Sequence, residues 1–184
     1  METGEAPDWR QLHDRRDHWP NGTVPAKGLF LTAGADVQKD RIEVDVWAWG
    51  RGLESWLIEH VVIDGGPEHG KTWSDLSRVL DRTWPHESGA DIRIVKLAID
   101  SGYESPAVYA WARSAGSAQV APVKGVDGFN RSSPVSGPTF VDVTAAGKRL
   151  RRGARLWTVA VSTFKAETYR FLRLVRPTEE ELAE

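Results

Sequence analysis

The sequence predicts an α/β fold in which one mixed sheet carries helices on both faces. Three β-type segments come first, at residues 28–37, 41–49 and 55–64, and short polar turns separate them. This spacing predicts an antiparallel meander. Helical and strand patterns then alternate as far as residue 123. Because a strand–helix–strand connection normally makes its strands parallel, the fourth strand can lie parallel to the first.

The three meander strands differ in their hydrophobic pattern. Residues 28–37 are apolar almost throughout, which is typical of a central strand covered on both faces. Residues 41–49 alternate, with Ile, Val and Ala on one face and Glu, Asp and Trp on the other. Residues 55–64 form the third strand, and Gly65-Gly66-Pro67 ends it.

A helix is predicted over residues 72–84, because Trp73, Leu76, Leu80 and Trp84 fall on one stripe at helical spacing. Thr72 is its expected N-cap, and Pro85 its end. The next strand covers residues 91–99.

A second helix follows at 105–115, with Ser105 as its cap and Pro106 at its first turn. A short strand at 119–123 then leads to Lys124-Gly125.

The last third of the chain has weaker patterns. Gly, Ser, Pro and Asn are dense between residues 126 and 155, where 140–143 could form a short strand. Residues 148–155 are predicted as a basic loop or hairpin, 156–161 as a strand and 163–175 as a final helix.

The domain organisation follows from these elements. Residues 1–27 are predicted to be a linker or lead-in arm with a short helix over 8–18, and residues 28–176 the folded domain. Residues 177–184 are an acidic tail.

Composition excludes several classes of site. The chain of 184 residues has no cysteine, which excludes thiolate nucleophiles and Cys-based metal sites and is compatible with a reducing cytosol. Its net charge of −2 means that nucleic-acid binding would need a local basic patch. Neither a signal peptide nor an apolar run of about 18 residues is found.

Two aspartates stand out because they occur in apolar strands. Asp36 lies in the first strand and Asp100 closes the fourth. A buried carboxylate is costly unless it is paired or bound to a cation. If the two strands are parallel neighbours, both carboxylates meet at one end of the sheet, where hard oxygen ligands suit Mg²⁺ or Mn²⁺. A strand-end turn or cap is the competing interpretation, with about equal weight.

The sequence also resembles a known family. The segments that carry the resemblance are Leu31-Thr-Ala-Gly-Ala-Asp-Val-Gln-Lys-Asp-Arg-Ile-Glu-Val44, Trp47-Ala-Trp-Gly-Arg-Gly-Leu-Glu-Ser-Trp56, Ile99-Asp-Ser-Gly-Tyr103 and Val123-Lys-Gly125. They resemble the lambda-type phage terminase large subunit, the GpA family, in the right order from about residue 8 to about 175.

The resemblance implies an RNase H-like nuclease domain that cuts concatemeric viral DNA during genome packaging in the host cytoplasm. It implies Mg²⁺- or Mn²⁺-dependent hydrolysis at a two-metal site, with Asp36 and Asp100 as the catalytic and metal-binding positions. The implied partners are double-stranded DNA, the terminase small subunit and the portal, and no membrane.

Two departures from the family pattern matter. No phosphate-binding Gly-x-x-x-x-Gly-Lys-[Ser/Thr] motif occurs, so no ATP hydrolysis is expected from this chain. An acidic motif of the Asn-Glu-Ala-Leu-Asp type, which follows the last helix in the family, is not found before Glu184. The third metal ligand is therefore expected to be missing or supplied by another residue.

Further polar residues are candidate metal ligands or DNA-binding residues, and each also has an ordinary structural or solvent-exposed role as an alternative. Glu43 and Asp45 are possible substitute ligands, but a solvated face or a cross-strand ion pair is favoured, and Asp142 and Glu167 are weaker still. Basic side chains of the later segments could bind phosphates or simply be solvated. These candidate DNA-binding residues are Lys124, Lys148, Arg149, Arg151, Arg152 and Arg155.

Two alternatives to the nuclease stay open at this point. One is a non-catalytic DNA-binding or assembly module of the same fold with an incomplete metal site. The other is a remnant of a degraded prophage gene.

Overall fold

The computed structural model describes residues 6–16, 18–128, 133–145 and 147–175. The chain divides into two compact units. The larger consists of residues 19–125 and 135–159, and the smaller of the remaining segments. The predicted acidic tail at 177–184 lies outside the described residues.

The larger unit is built on a mixed sheet. Its strands are β1 (Phe30–Val37), β2 (Arg41–Trp49), β3 (Ser55–Asp64), β4 (Thr83–Pro85), β5 (Asp91–Asp100), β6 (Val120–Val126), β7 (Val135–Ala145) and β8 (Lys148–Ala160). Their order across the sheet is β3-β2-β1-β5-β6-β8-β7, and β4 pairs with β5. The helices of this unit are α2 (Gly70–Asp81) and α3 (Ser105–Ala115). The smaller unit has α1 (Trp9–Asp14) and α4 (Val161–Leu172).

The predicted arrangement of strands is confirmed. The first three strands pair antiparallel, and β1 pairs with β5 in parallel. β5 in turn pairs in parallel with β6. This mixed α/β sheet is consistent with an RNase H-like fold.

Helices α2 and α3 pack together on one face of the sheet. The rings of Trp73 and Trp111 stack at 5.8 Å between centroids, and the Trp111 indole N–H donates to Ser77 Oγ at 3.0 Å. The apolar residues of β1 and β2 that face these helices are fully or almost fully buried, which makes this layer the hydrophobic core.

The expectation that both faces of β1 are covered was wrong. Its side chains alternate between buried and exposed positions, and Gly34 and Asp36 are exposed. The strand is central in the sheet, but only the face toward α2 and α3 needs apolar side chains. The pattern looked continuous because the other face carries Phe30, Thr32 and Gly34 before Asp36, and none of these three is charged.

The N-cap residues of both helices in this unit differ from the prediction, and so do the bounds of α2. Helix α2 begins at Gly70 with His69 as its N-cap, and Thr72 is buried within the first turn instead of capping it. Helix α3 is capped by Glu104 at φ 47°, so Ser105 is its first residue.

The smaller unit brings its two helices into contact. The Arg15 guanidinium after α1 donates to the backbone carbonyls of Leu172 and Leu174 at the end of α4. None of the helices in the described residues is long and apolar enough to cross a membrane.

Candidate functional site

Asp36 and Asp100 lie side by side at the ends of two adjacent strands. The parallel pairing of β1 with β5 runs through Ala35 and Ile99, and the two aspartates are the next residue of each strand. Their neighbours Ala35 and Ile99 are both buried against the helices, so alternation turns both carboxylates to the opposite, open face. Adjacent strands are separated by about 4.8 Å, which brings the two side chains within reach of one ligand.

Both carboxylates keep oxygen atoms available. Asp36 Oδ2 accepts from the Gln38 side-chain amide at 3.0 Å, and Asp100 Oδ2 accepts from the Gly102 backbone N–H at 3.2 Å. A Cβ at position 102 would be 2.9 Å from Asp100 Oδ2, so a side chain there would require this carboxylate to shift. Among the residues that the structure describes, neither aspartate has an ion-pair partner.

The burial argument made for Asp36 from sequence was wrong, although the strand pairing it relied on was right. Asp36 is exposed and Asp100 is half-buried. The desolvation cost is therefore small at Asp36, because its face of β1 carries no apolar layer. What distinguishes the two residues is their adjacency, which repels like charges unless a cation lies between them.

Two more acidic side chains occupy the same face on β2. Glu43 lies directly across from Asp36, and Arg41 Nε donates to its Oε1 at 2.6 Å. Asp45 contacts His60 Nδ1 of β3 at 2.7 Å. Each carboxylate thus has its own cationic or ionisable partner, as the favoured interpretation of these residues expected.

The donor set suits a hard divalent cation. Mg²⁺ is usually bound by one or two carboxylates and completes its octahedron with waters and substrate phosphates. Asp36 and Asp100 supply such a pair. Within the described part of the chain, no group of three or more His, Asp or Glu side chains is close enough to hold a metal.

Small residues line the sheet beside the two aspartates. Gly34, Ala98 and Ala121 face one another across β1, β5 and β6, and Gly34 and Ala98 each lie two residues before the aspartate of their strand. A Cβ built on Gly34 would have no atom within 4 Å. The open face therefore has a shallow strip next to the acidic pair.

The basic stretch 148–155 belongs to a β-hairpin. Strand β8 begins at Lys148 and pairs antiparallel with β7, so the predicted short strand at 140–143 is part of a longer one. Arg149 Nε and Nη2 both donate to Asp142 Oδ2, at 3.0 and 2.8 Å. Arg149 is thereby committed to an ion pair, whereas Arg151, Arg152 and Arg155 are exposed.

Asp142 links the two strands of the hairpin through hydrogen bonds, a role that the sequence analysis did not predict for it. Its Oδ1 accepts from the Arg152 backbone N–H at 2.9 Å, and this bond, with the Arg149 contacts, lowers the pKa of the Asp142 carboxyl. Proximity in the sequence to five basic residues was the available signal. Glu167, the other weak candidate ligand, lies on α4 in the smaller unit.

Lys124 is exposed near the end of β6. Its neighbour Val123 pairs with Asp100, so strand alternation assigns the Lys124 side chain to the face opposite the aspartates. Lys148 opens β8 and is exposed.

Comparison with known proteins gives a consistent result. Residues 1–181 match the family described as terminase large subunit gpA, endonuclease domain. The terminase large subunit of Escherichia phage lambda is 31% identical over 180 residues, which cover 97% of this chain and 26% of that protein. The terminase large subunit of Enterobacteria phage P21 is 30% identical over 167 residues, 90% of this chain and 24% of that protein.

The matches cover most of this chain but only a small part of each relative. The chain spans about a quarter of the length of the curated relatives it matches. No solved structure matches it.

Proposed function

The chain belongs to the endonuclease-domain family of the gpA-type terminase large subunit, and from this premise we propose that it is a metal-dependent DNA endonuclease domain. In this proposal Asp36 and Asp100 are the catalytic residues and bind Mg²⁺ or Mn²⁺. The observation that carries it is the adjacency of two carboxylates, without ion-pair partners in the described structure, at the ends of parallel strands.

The two aspartates bind and orient the cation on the open face. A bound divalent cation supplies an activated water and neutralises charge on the scissile phosphate. Gln38 and the Gly102 backbone N–H each occupy one carboxylate oxygen and so restrict the side-chain rotamers. The strip at Gly34, Ala98 and Ala121 leaves room for a DNA backbone beside the acidic pair.

The wider role follows from the same premise. We propose that the domain cuts concatemeric viral DNA during genome packaging in the host cytoplasm, as part of an assembly with a terminase small subunit and a portal. The large-subunit name of both relatives supports a partner subunit. Lys124, Lys148, Arg151, Arg152 and Arg155 are the proposed DNA-binding residues, whereas the ion pair with Asp142 holds Arg149 in the hairpin.

A plasmid-nicking assay over a Mg²⁺ and Mn²⁺ series tests the proposal. With only two carboxylate ligands, the second cation of a two-metal site is held weakly, so we expect slow nicking without sequence preference. Mn²⁺ should support it better, because Mg²⁺ sheds its waters reluctantly and demands stricter geometry. Asp36→Asn and Asp100→Asn should each abolish it, and so should EDTA.

Asp91→Asn is the matched control. Asp91 is an exposed aspartate on the same strand as Asp100, at its opposite end, and should keep wild-type nicking. Nicking that persists in both site variants would refute the assignment, and a wild type inactive with either metal would refute the activity.

A further inference from the structure

The basic hairpin contains an irregularity at its arginines. Between the pairs Val143–Leu150 and Val141–Ala154, three residues of β8 lie opposite Asp142 alone. The central one, Arg152, has φ 54°, a left-handed conformation that is unusual for a residue with a side chain. Residues 151–153 therefore form a β-bulge, a feature that commonly redirects side chains beside functional sites.

Asp142 anchors this bulge from the facing strand. Asp142 Oδ1 accepts a hydrogen bond from the Arg152 backbone N–H, and Oδ2 accepts hydrogen bonds from Arg149 Nε and Nη2. The side chain thus fixes the bulge backbone and a neighbouring guanidinium at once.

Gly153 anchors it from the other side. Its carbonyl accepts from Arg113 Nη1 of α3 at 2.8 Å. Gly153 is buried, and a Cβ there would be 2.9 Å from Val143 Cβ and 3.1 Å from the Leu150 carbonyl. A strained conformation persists only where its surroundings determine it, and here two separate contacts do so.

The bulge presents cationic side chains that form no salt bridge in the described part of the chain, although Arg151 is near enough to Asp142 to help lower the pKa of that carboxyl. Arg151, Arg152 and Arg155 are exposed, and no carboxylate of the described residues lies within 4.0 Å of them. The Arg152 guanidinium lies 4.7 Å from the ring centre of Phe140, which is 48% exposed. This contact orients the guanidinium while leaving its N–H edge available.

We propose that the 151–153 bulge is a preorganised grip for the sugar-phosphate backbone of duplex DNA, and that Asp142 is its positioning residue. Arg151 and Arg152 contact phosphates, whereas Arg149 serves the scaffold. The proposal rests on the proposed nuclease function for its ligand, since exposed guanidinium groups match phosphates in charge and geometry.

A positioning role of Asp142 and its negative charge predict opposite changes in DNA affinity when the side chain is removed. Asp142 is a negative charge among arginines, so removing it should strengthen DNA binding if only the summed charge mattered. If the carboxylate holds the bulge, its removal weakens binding because the arginines lose their fixed presentation. The sign of the change therefore separates the two roles.

The experiment measures binding of the full chain to fluorescent 20-base-pair duplexes of two unrelated sequences, by anisotropy without divalent metal and over a salt series. Asp142→Ala should weaken binding about threefold to tenfold. Arg151→Gln and Arg152→Gln should each weaken it similarly for both duplexes and reduce the salt slope by about 0.9. Arg149→Gln should weaken binding with little change of slope.

Two controls keep the result interpretable. Asp81→Ala also removes one exposed negative charge, but from the end of α2, and should leave binding unchanged or slightly tighter. Circular dichroism and thermal unfolding establish that each variant is folded. The Arg151→Gln and Arg152→Gln variants leave the hydrogen bonds of Asp142 and Gly153 in place, so they test the grip even if Asp142→Ala does not fold.

The outcomes also separate this inference from the proposed function. Unchanged or tighter binding by folded Asp142→Ala overturns the positioning role, and wild-type slopes in both arginine variants overturn the grip. Binding that behaves as expected in a wild type that never nicks DNA supports the grip and overturns the nuclease proposal.

Discussion

Trp84 shows at the scale of one residue how a side chain can override a local pattern. Its helical spacing with Leu80 predicted the last turn of a helix, yet α2 ends at Asp81 and Trp84 lies in β4. The side chain is fully buried, and its indole N–H donates to Glu59 Oε2 at 2.8 Å. Arg82 pairs with the same carboxylate and lies 4.9 Å from the Trp84 ring centre. Burial of this ring determines the local conformation.

We expect Trp84→Ala to lower the free energy of unfolding by about 3–5 kcal/mol, because it leaves a large cavity in the core. Urea unfolding followed by circular dichroism measures the change. Trp9→Ala is the control, since Trp9 is 67% exposed and its loss should cost less than about 0.5 kcal/mol. Equal effects of the two substitutions would contradict the burial of Trp84.

At the scale of the element, β1 combines a structural face with an open one. Gly34 lies on the open face with free space around it, whereas Gly50, just after β2, is confined. A Cβ on Gly50 would be 2.8 Å from the Lys27 carbonyl and 3.1 Å from the Trp56 ring. The two glycines therefore differ in what a side chain would do.

Gly34→Leu should leave the free energy of unfolding unchanged or raise it by up to about 1 kcal/mol, because leucine suits a strand better than glycine does. It should nevertheless reduce nicking severalfold, by filling the strip beside Asp36. Gly50→Leu should lower stability through its backbone clash. Thermal unfolding and the nicking assay together measure both effects, and full nicking by Gly34→Leu would show that DNA does not approach this strip.

For the whole molecule, a net charge of −2 limits how DNA can be held. Binding must come from a local group of basic side chains. Those outside any salt bridge in the described structure include Lys124, Lys148, Arg151, Arg152 and Arg155. If these five are the phosphate contacts, the logarithm of the binding constant should fall with the logarithm of salt concentration with a slope no steeper than about −4 to −5.

Anisotropy titrations between about 50 and 200 mM salt measure this slope. A clearly steeper slope would mean that further basic residues contact DNA. A slope near zero would mean that phosphates contribute little to binding.

Much of the fold could be predicted because strands and helices carry local hydrophobic periods. Strands β2 and β3 and helix α3 have the predicted bounds, and the parallel neighbours β1 and β5 followed from the order of elements. The pair Asp36 and Asp100 was found for the same reason, since each interrupts or closes an apolar strand. The hairpin β7–β8 was seen only in part, because its pairing partners are weakly patterned.

What the sequence by itself determined is therefore the order of strands and helices and the two aspartates at neighbouring strand ends. Only the tertiary structure decided which face of β1 is open, that Trp84 leaves its helical pattern, and that Asp142 fixes a bulge at Arg152. Periodicity is a property of nearby residues, whereas exposure, register and anchoring depend on side chains that lie far apart in the chain and meet only when the sheet has formed.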